Sequence, residues 1–148
     1  MLKNTKRTIV YFGAIAAAVM LVADITMIFW IRRAYFRQKI AQVNCGRPSA
    51  RPIAQLVAIA IGVYAIMVAL LICSRASPTR AAILGFIAYA MFDGTLLLMS
   101  DAWTLADASV DLAWGTALFA GSVAASRAIT KTIAGTDPEK IPSAEWPI

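Results

Sequence analysis

The sequence predicts an all-α membrane protein: a polytopic four-helix bundle with a basic loop after helix 1 and an extended C-terminal tail. Of the 148 residues, 60% are hydrophobic, and the mean hydropathy is +0.71. Charged residues make up only 15% of the chain, against about 25% in an average soluble domain. They cluster between apolar runs that are long enough to cross a bilayer. We therefore expect a single integral membrane domain over 1–148, with spans at about 9–31, 53–73, 81–100 and 105–126.

The first apolar run follows a short basic N-terminal segment and is interrupted only by Asp24. A basic start before an apolar run is also typical of a secretory signal peptide. This run is longer than the apolar part of such a peptide, so we expect an uncleaved first span.

The loop after the first span is rich in basic residues and contains no acidic residue before the second span. Its first half lacks Gly and Pro, which predicts that the first helix continues beyond the membrane. The side chains are expected to bind anionic lipid headgroups or a partner protein. The net charge of +6 is accordingly assigned to membrane contact and not to sequence-specific nucleic acid. The basic residues are Arg32, Arg33, Arg37, Lys39, Arg47 and Arg51.

The second half of the chain is predicted to form an α-helical hairpin followed by the polar tail 127–148. The tail contains Gly135 and three prolines, which predict extended backbone. Basic residues are nearly balanced between the two faces, so the positive-inside rule leaves the orientation open. Of the two orientations, we take the one with both termini in the cytoplasm, or in the interior that the membrane encloses.

Three aspartates interrupt three different spans at one predicted depth. Asp24 and Asp93 each precede the end of their span by about seven residues, which places them roughly 10 Å below the same surface. Asp111 lies about six residues into the fourth span, roughly 9 Å below that surface. The sequence therefore predicts an interhelical polar cluster of Asp24, Asp93, Asp111 and Trp114. Two interpretations of Trp114 stay open: its indole N–H donates to a carboxylate, or the ring packs as an ordinary apolar side chain.

Carboxyl groups inside a membrane are costly, and two interpretations of this cluster stay open. They bind the helices together through interhelical hydrogen bonds, or they form a proton or cation relay or a pocket for a small molecule. Trp30 and Trp103, at span ends, are expected to lie at the membrane interface.

No catalytic residues, metal ligands or cofactors are predicted. The chain has no His, which is the commonest metal ligand and neutral-pH base. Its two cysteines, Cys45 and Cys73, lack the spacing of a CxxC motif. An intramembrane aspartyl protease using Asp93 and Asp111 is a minor alternative, because the chain lacks the Gly-x-Gly-Asp element of such enzymes.

Several motifs in and beside the spans form a recognisable pattern: Asp24, Arg33-Ala34-Tyr35-Phe36, Gly85-Phe86-Ile87-Ala88-Tyr89, Phe92-Asp93 with Thr95, Trp103-Thr104-Leu105 and Asp111-Leu112-Ala113-Trp114-Gly115-Thr116. Together they resemble domain-of-unknown-function family 2177, which comprises small predicted four-span membrane proteins of bacteria, algae and large DNA viruses. The similarity covers roughly residues 8–126. Two positions depart from the family pattern: Met27 replaces a Trp, and Gly94-Thr95-Leu96 replaces a Leu-Thr-Asn-like run. The resemblance implies fold and membrane location, since the family has no assigned activity.

The leading functional prediction is a non-catalytic structural protein, a minor capsid or inner-membrane component of a large membrane-containing DNA virus. Its expected partners are the bilayer, anionic headgroups and neighbouring capsid proteins of a large assembly. The alternative is a small bacterial inner-membrane transporter or permease-like protein, in which the intramembrane aspartates couple transport to protons or cations.

Overall fold

The computed structural model describes residues 2–43 and 52–146, which form α-helices joined by short connections without any strand. The prediction of an all-α fold with apolar helices suited to a membrane is confirmed. The segment 5–31, α4 and α5 each have the length and apolar composition of a membrane span, and α3 is apolar over Val57–Cys73. The helices are α1 (Leu2–Thr26), α2 (Arg33–Val43), α3 (Ile53–Cys73), α4 (Pro78–Met99) and α5 (Leu105–Ala134).

The first span ends in a π-helical turn, Met27–Ile31, that continues α1. The N–H of Arg32 donates to the carbonyl of Met27 at 2.9 Å, which closes the wider turn. Arg32 itself leaves the helical conformation, with φ −116° and ψ 24°. The predicted continuation past the membrane is therefore a separate helix, α2, that changes direction at Arg32.

The α4–α5 hairpin is held by local capping. The Thr104 side chain accepts from the Asp107 N–H at 3.2 Å, and the Asp107 carboxylate accepts from the Thr104 N–H at 3.0 Å. This reciprocal capping box satisfies two backbone donors at the start of α5. It fixes the helix start at the residue where the sequence predicts the fourth span to begin.

The α4–α5 interface is the most extensive in the bundle, and two glycines allow the close approach. A Cβ atom at Gly115 would lie 2.2 Å from ring carbons of Tyr89. A Cβ atom at Gly85 would lie 2.8 Å from the backbone oxygen of Gly115. The helix α5 also packs along α1, whereas α3 contacts α1 and α4 only sparsely.

The end of the bundle that holds the N-terminus of α1 and the C-terminus of α5 is the tail end. Phe12, Phe119 and Val123 are fully buried there. The ring of Trp146 meets that of Phe12 edge-on, with centroids 5.9 Å apart. The hydroxyl of Ser126 donates to the carbonyl of Phe12 at 2.7 Å. The chain after α5 thus folds back onto the bundle and covers the core.

The predicted start of the extended tail is wrong by eight residues, since 127–134 continue α5. Residues 127–134 contain no Gly or Pro, so the helix continues through them. It ends at Gly135, which adopts the left-handed conformation with φ 65°. Beyond it, the tail makes two short 3₁₀ turns, Pro138–Lys140 and Ser143–Glu145.

Candidate functional site

The opposite end of the bundle, called the cavity end, contains a half-open cavity of about 400 Å³ between the four long helices. Every one of α1, α3, α4 and α5 contributes side chains to its wall. Most of the wall is apolar, with Val63, Met67 and Phe92 among its members. The charged residues, tyrosines and tryptophan of the wall are Asp24, Arg32, Tyr64, Tyr89, Asp111 and Trp114.

Asp24 is held by donors from two other helices. The hydroxyl of Tyr64 donates to Oδ2 of Asp24 at 2.5 Å. The indole N–H of Trp114 donates to Oδ1 at 3.3 Å. Each carboxylate oxygen of Asp24 therefore has a hydrogen-bond donor from another helix. Trp114 does donate to a carboxylate, and that carboxylate belongs to α1.

Asp111 shares the cavity with Asp24 but differs from it in its contacts. The half-buried carboxyl of Asp111 makes no hydrogen bond or ion pair with any residue in 2–43 or 52–146. It lies within electrostatic range of the carboxyls of Asp24 and Asp93 and of the guanidinium of Arg32. A carboxyl facing an apolar cavity without a donor requires a proton or a cation for neutralisation.

Asp93 lies beside the cavity and not in its wall. Its side chain is only 3% exposed, and Oδ1 accepts from the indole N–H of Trp103 at 3.1 Å. Oδ2 is buried without a hydrogen-bond partner among the described residues. We expect Asp93 to be protonated, because an ionised carboxylate with a bare buried oxygen is costly. The predicted cluster thus divides into two carboxyls in the cavity wall and a third behind it.

The two tryptophans expected at the membrane interface differ in position. Trp30 is 82% exposed on the outside of the bundle, where lipid would surround it. Trp103 is 8% exposed and bonded to Asp93, so the interfacial interpretation of Trp103 is wrong. The hydrogen bond to the buried carboxyl of Asp93 holds the indole of Trp103 inside the bundle.

The helix α2 is bound to the start of α5 through Asp107. The ammonium of Lys39 lies 2.6 Å from Oδ2 of Asp107 and 2.9 Å from the carbonyl oxygen of Ala102. The phenol of Tyr35 donates to Oδ1 of the same carboxylate. Burial and this hydrogen bond raise the pKa of Tyr35 to about 12. We call these contacts the α2 latch, since they hold α2 against the α4–α5 hairpin.

The six basic residues of the first loop differ in their surroundings, as far as the structure describes them. Lys39 is occupied by the α2 latch, and the guanidinium of Arg32 lies 3.9 Å above the ring of Tyr35 at the cavity wall. Arg33 and Arg37 are exposed. The predicted headgroup contacts of these two stay a prediction, and those of Arg47 and Arg51 fall outside the described residues.

Sequence reasoning missed the residues that complete the site. Tyr64 was not singled out, although a phenol in the middle of an apolar span is a signal for a buried acceptor. The pairing of Lys39 with Asp107 was missed as well. The opposite charges of Lys39 and Asp107, which follow one span and begin another, are a signal for an ion pair. The sequence alone does not show that α2 folds back over the α4–α5 hairpin.

The fold and the cavity define a small polytopic helical membrane protein with an acidic and aromatic cavity inside its bundle. The family model described as a predicted membrane protein (DUF2177) matches residues 8–128. The chain belongs to this family, which confirms the resemblance inferred from its motifs. All residues of the cavity wall lie within the matched range. No curated protein and no solved structure matches the chain.

Proposed function

We propose that the protein is a membrane carrier that exchanges a monovalent cation for a proton at Asp111. The observation that carries the proposal is the carboxyl of Asp111, which faces the cavity without a partner among the described residues. Ionisable groups inside membrane proteins are typical of substrate and proton pathways. The proposal assigns no catalysis to the protein.

The charges around the cavity support a one-for-one exchange. The wall contains one positive charge, on Arg32, and an ionised Asp24 with two hydrogen-bond donors balances this charge in the sum over the wall. Asp93 is expected to be neutral. The cavity is then uncharged overall when Asp111 holds a proton, and again when an ionised Asp111 faces a bound monovalent cation.

The packing of the tail end supports access from one side at a time, which a carrier requires. Phe12, Phe119 and Val123 fill the bundle between the cavity and the tail-end face. The cavity residues Tyr64, Met67 and Tyr89 rest against this core. Transport would require the weakly packed α3 to move relative to the α4–α5 pair.

Proteoliposomes test the exchange. Vesicles loaded with a pH-sensitive dye receive sodium, potassium or phenyltrimethylammonium chloride outside, in mildly acidic buffer. Exchange would carry protons out and make the interior more alkaline in response to at least one of these cations. Asp111→Asn should abolish the response, whereas Asp101→Asn, which removes an exposed acid of the hairpin, should preserve it. Absence of any response in wild-type vesicles, or an unchanged response in Asp111→Asn, would overturn the proposal.

The structural role in a virus particle stays a prediction. Its argument from tail contacts with neighbouring proteins is weakened by Trp146 and Arg127, which bind the tail to its own bundle. Copurification of the protein with purified particles would support that role. Recovery from cell membranes alone would count against it.

A further inference from the structure

We infer that the cavity binds an organic monocation with an apolar body of at least the size of a phenyl group. This inference rests on the proposed exchange and specifies its substrate class. The size of the cavity, the chemistry of its wall and the unpaired carboxyl of Asp111 support this ligand class.

The size of the cavity excludes a tight fit around an inorganic ion. Its volume of about 400 Å³ falls in the range of roughly 300–1,000 Å³ typical of small-molecule pockets. A bare metal cation of the hard type needs several oxygen ligands at short distance. Both oxygens of Asp24 are already occupied by donors, which leaves mainly the Asp111 carboxyl.

The wall provides surface for an apolar body beside the charge. Val63, Met67 and Leu70 of α3 form one side, and Phe92 of α4 contributes an aromatic ring. Burial of apolar ligand surface against such side chains is favourable by roughly 25 cal/mol per Å². An amphipathic ligand would gain from this wall, whereas a small hydrated ion would not.

The aromatic side chains of the cavity wall favour the binding of a positively charged group. The polar atoms of Tyr64 and Trp114 are directed at Asp24, so their ring carbons are what they offer to the cavity. The ring of Tyr89 is fixed against Gly115 and also lines the wall. Aromatic rings attract organic cations such as quaternary ammonium groups through their quadrupoles.

The balance of charge limits the ligand to one positive charge. In the sum over the wall, the charge of an ionised Asp24 and that of Arg32 cancel, Asp93 is expected to be neutral, and the phenols of Tyr64 and Tyr89 are uncharged. Asp111 is then the one carboxylate of the wall left for a ligand. A dication would leave an uncompensated charge in an apolar cavity, which is costly.

Calorimetric titration of the full chain in lipid nanodiscs tests the inference without any need for transport. The probe is phenyltrimethylammonium. The comparison ligands are its neutral isostere tert-butylbenzene, the smaller tetramethylammonium, and sodium. We expect phenyltrimethylammonium to bind at least tenfold more tightly than each of the three. Equal or tighter binding of the neutral isostere, of tetramethylammonium or of sodium would overturn the inference, as would no binding of the probe.

Variants separate the charge from the apolar wall. Asp111→Asn should weaken binding of the probe at least tenfold, while Asp111→Glu should retain most of it and Asp101→Asn all of it. Phe92→Ala keeps every charge and should weaken the binding of the probe more than the binding of tetramethylammonium. Unchanged binding in both Asp111→Asn and Phe92→Ala would overturn the inference. Binding without proton exchange in vesicles would refute the proposed carrier while leaving the ligand site intact.

Discussion

The two ends of the bundle are built from different interactions. At the tail end, fully buried Phe12 and Phe119 pack between α1 and α5, and Trp146 covers them. At the cavity end, the same helices separate around a cavity, and hydrogen bonds to Asp24 and Asp107 replace apolar packing. The bundle is thus stabilised at the tail end by close apolar packing and at the cavity end by a few polar contacts.

This difference shows where stability and function are expected to reside. Buried aromatic packing resists change, since protein interiors tolerate little loss of volume. Polar contacts around a cavity are individually weak and can exchange partners. Variants at the tail end should therefore lower the free energy of unfolding, and variants at the cavity end should mainly change binding.

The largest effect is expected for Phe12→Ala at the tail end. Removing a fully buried ring leaves a void among α1, α5 and the tail, which costs about 3–5 kcal/mol in comparable cores. Phe29→Ala removes the same ring from a side chain that is 61% exposed on the same span, and should cost under about 0.5 kcal/mol. Denaturant unfolding in detergent micelles measures both. Equal losses would show that the tail end is not the stabilising core.

Gly115→Ala tests the boundary between the two ends. The new methyl group would collide with the Tyr89 ring, and such overpacking costs about 1–3 kcal/mol. Because Tyr89 lines the cavity, the affinity for phenyltrimethylammonium should fall at the same time. The matched control is Gly121→Ala on the same helix, whose added carbon would meet nothing within 4 Å. Normal stability and affinity in Gly115→Ala would contradict the close approach of α4 and α5.

Asp107→Asn tests the α2 latch. The substitution removes the charge that pairs with Lys39 and weakens the hydrogen bond from Tyr35, at a cost of about 1–2 kcal/mol for such charge-assisted bonds. Amide hydrogen exchange in α2 should accelerate about tenfold or more, while exchange in the tail-end half of α5 stays unchanged. The absorbance titration of Tyr35 should also shift from about 12 towards its ordinary pKa. Unchanged exchange in α2 would refute the latch.

The smallest effect is the pH dependence of the tail. The guanidinium of Arg127 donates to both oxygens of Asp137 at 2.8 Å and lowers the pKa of that carboxyl. The folded-state pKa is thus below the unfolded value of about 3.9. The contribution of the ion pair is complete above that value and is lost as the pH falls through the folded-state pKa.

The fluorescence of Trp146, taken as the difference between the protein and its Trp146→Phe variant, measures this loss. The signal should change in strongly acidic buffer in the wild type, as the tail loosens from Phe12. Asp137→Asn should show the loosened signal already at neutral pH, with a smaller acid transition. An identical acid transition in the two proteins would assign the change to other carboxyls.

The sequence predicts the membrane class, the helical fold and the starts of α3 and α5, because apolar length and capping residues are local properties. It also selects Asp24, Asp111 and Trp114, since depth follows from helical rise. It does not predict that Tyr64 approaches Asp24, or that Lys39 turns back to Asp107. Those contacts depend on helix rotation and on the direction of α2, which arise from long-range packing.

The tail also combines a feature that local sequence predicts with a contact that it does not predict. The prolines and Gly135 indicate extended backbone, and the backbone after α5 does leave the α-helical conformation. The burial of Trp146 against Phe12 depends on a partner more than 130 positions away in sequence. Local composition carries no information about such a contact.

The most direct test of cation–proton exchange is the number of protons released when phenyltrimethylammonium binds. Calorimetric titrations at one mildly acidic pH, in two buffers with different heats of ionisation, give this number. We expect a clear release in the wild type, approaching about one proton per bound cation as the pH is lowered, and no release in Asp111→Asn. Binding without proton release in the wild type at every mildly acidic pH would contradict it.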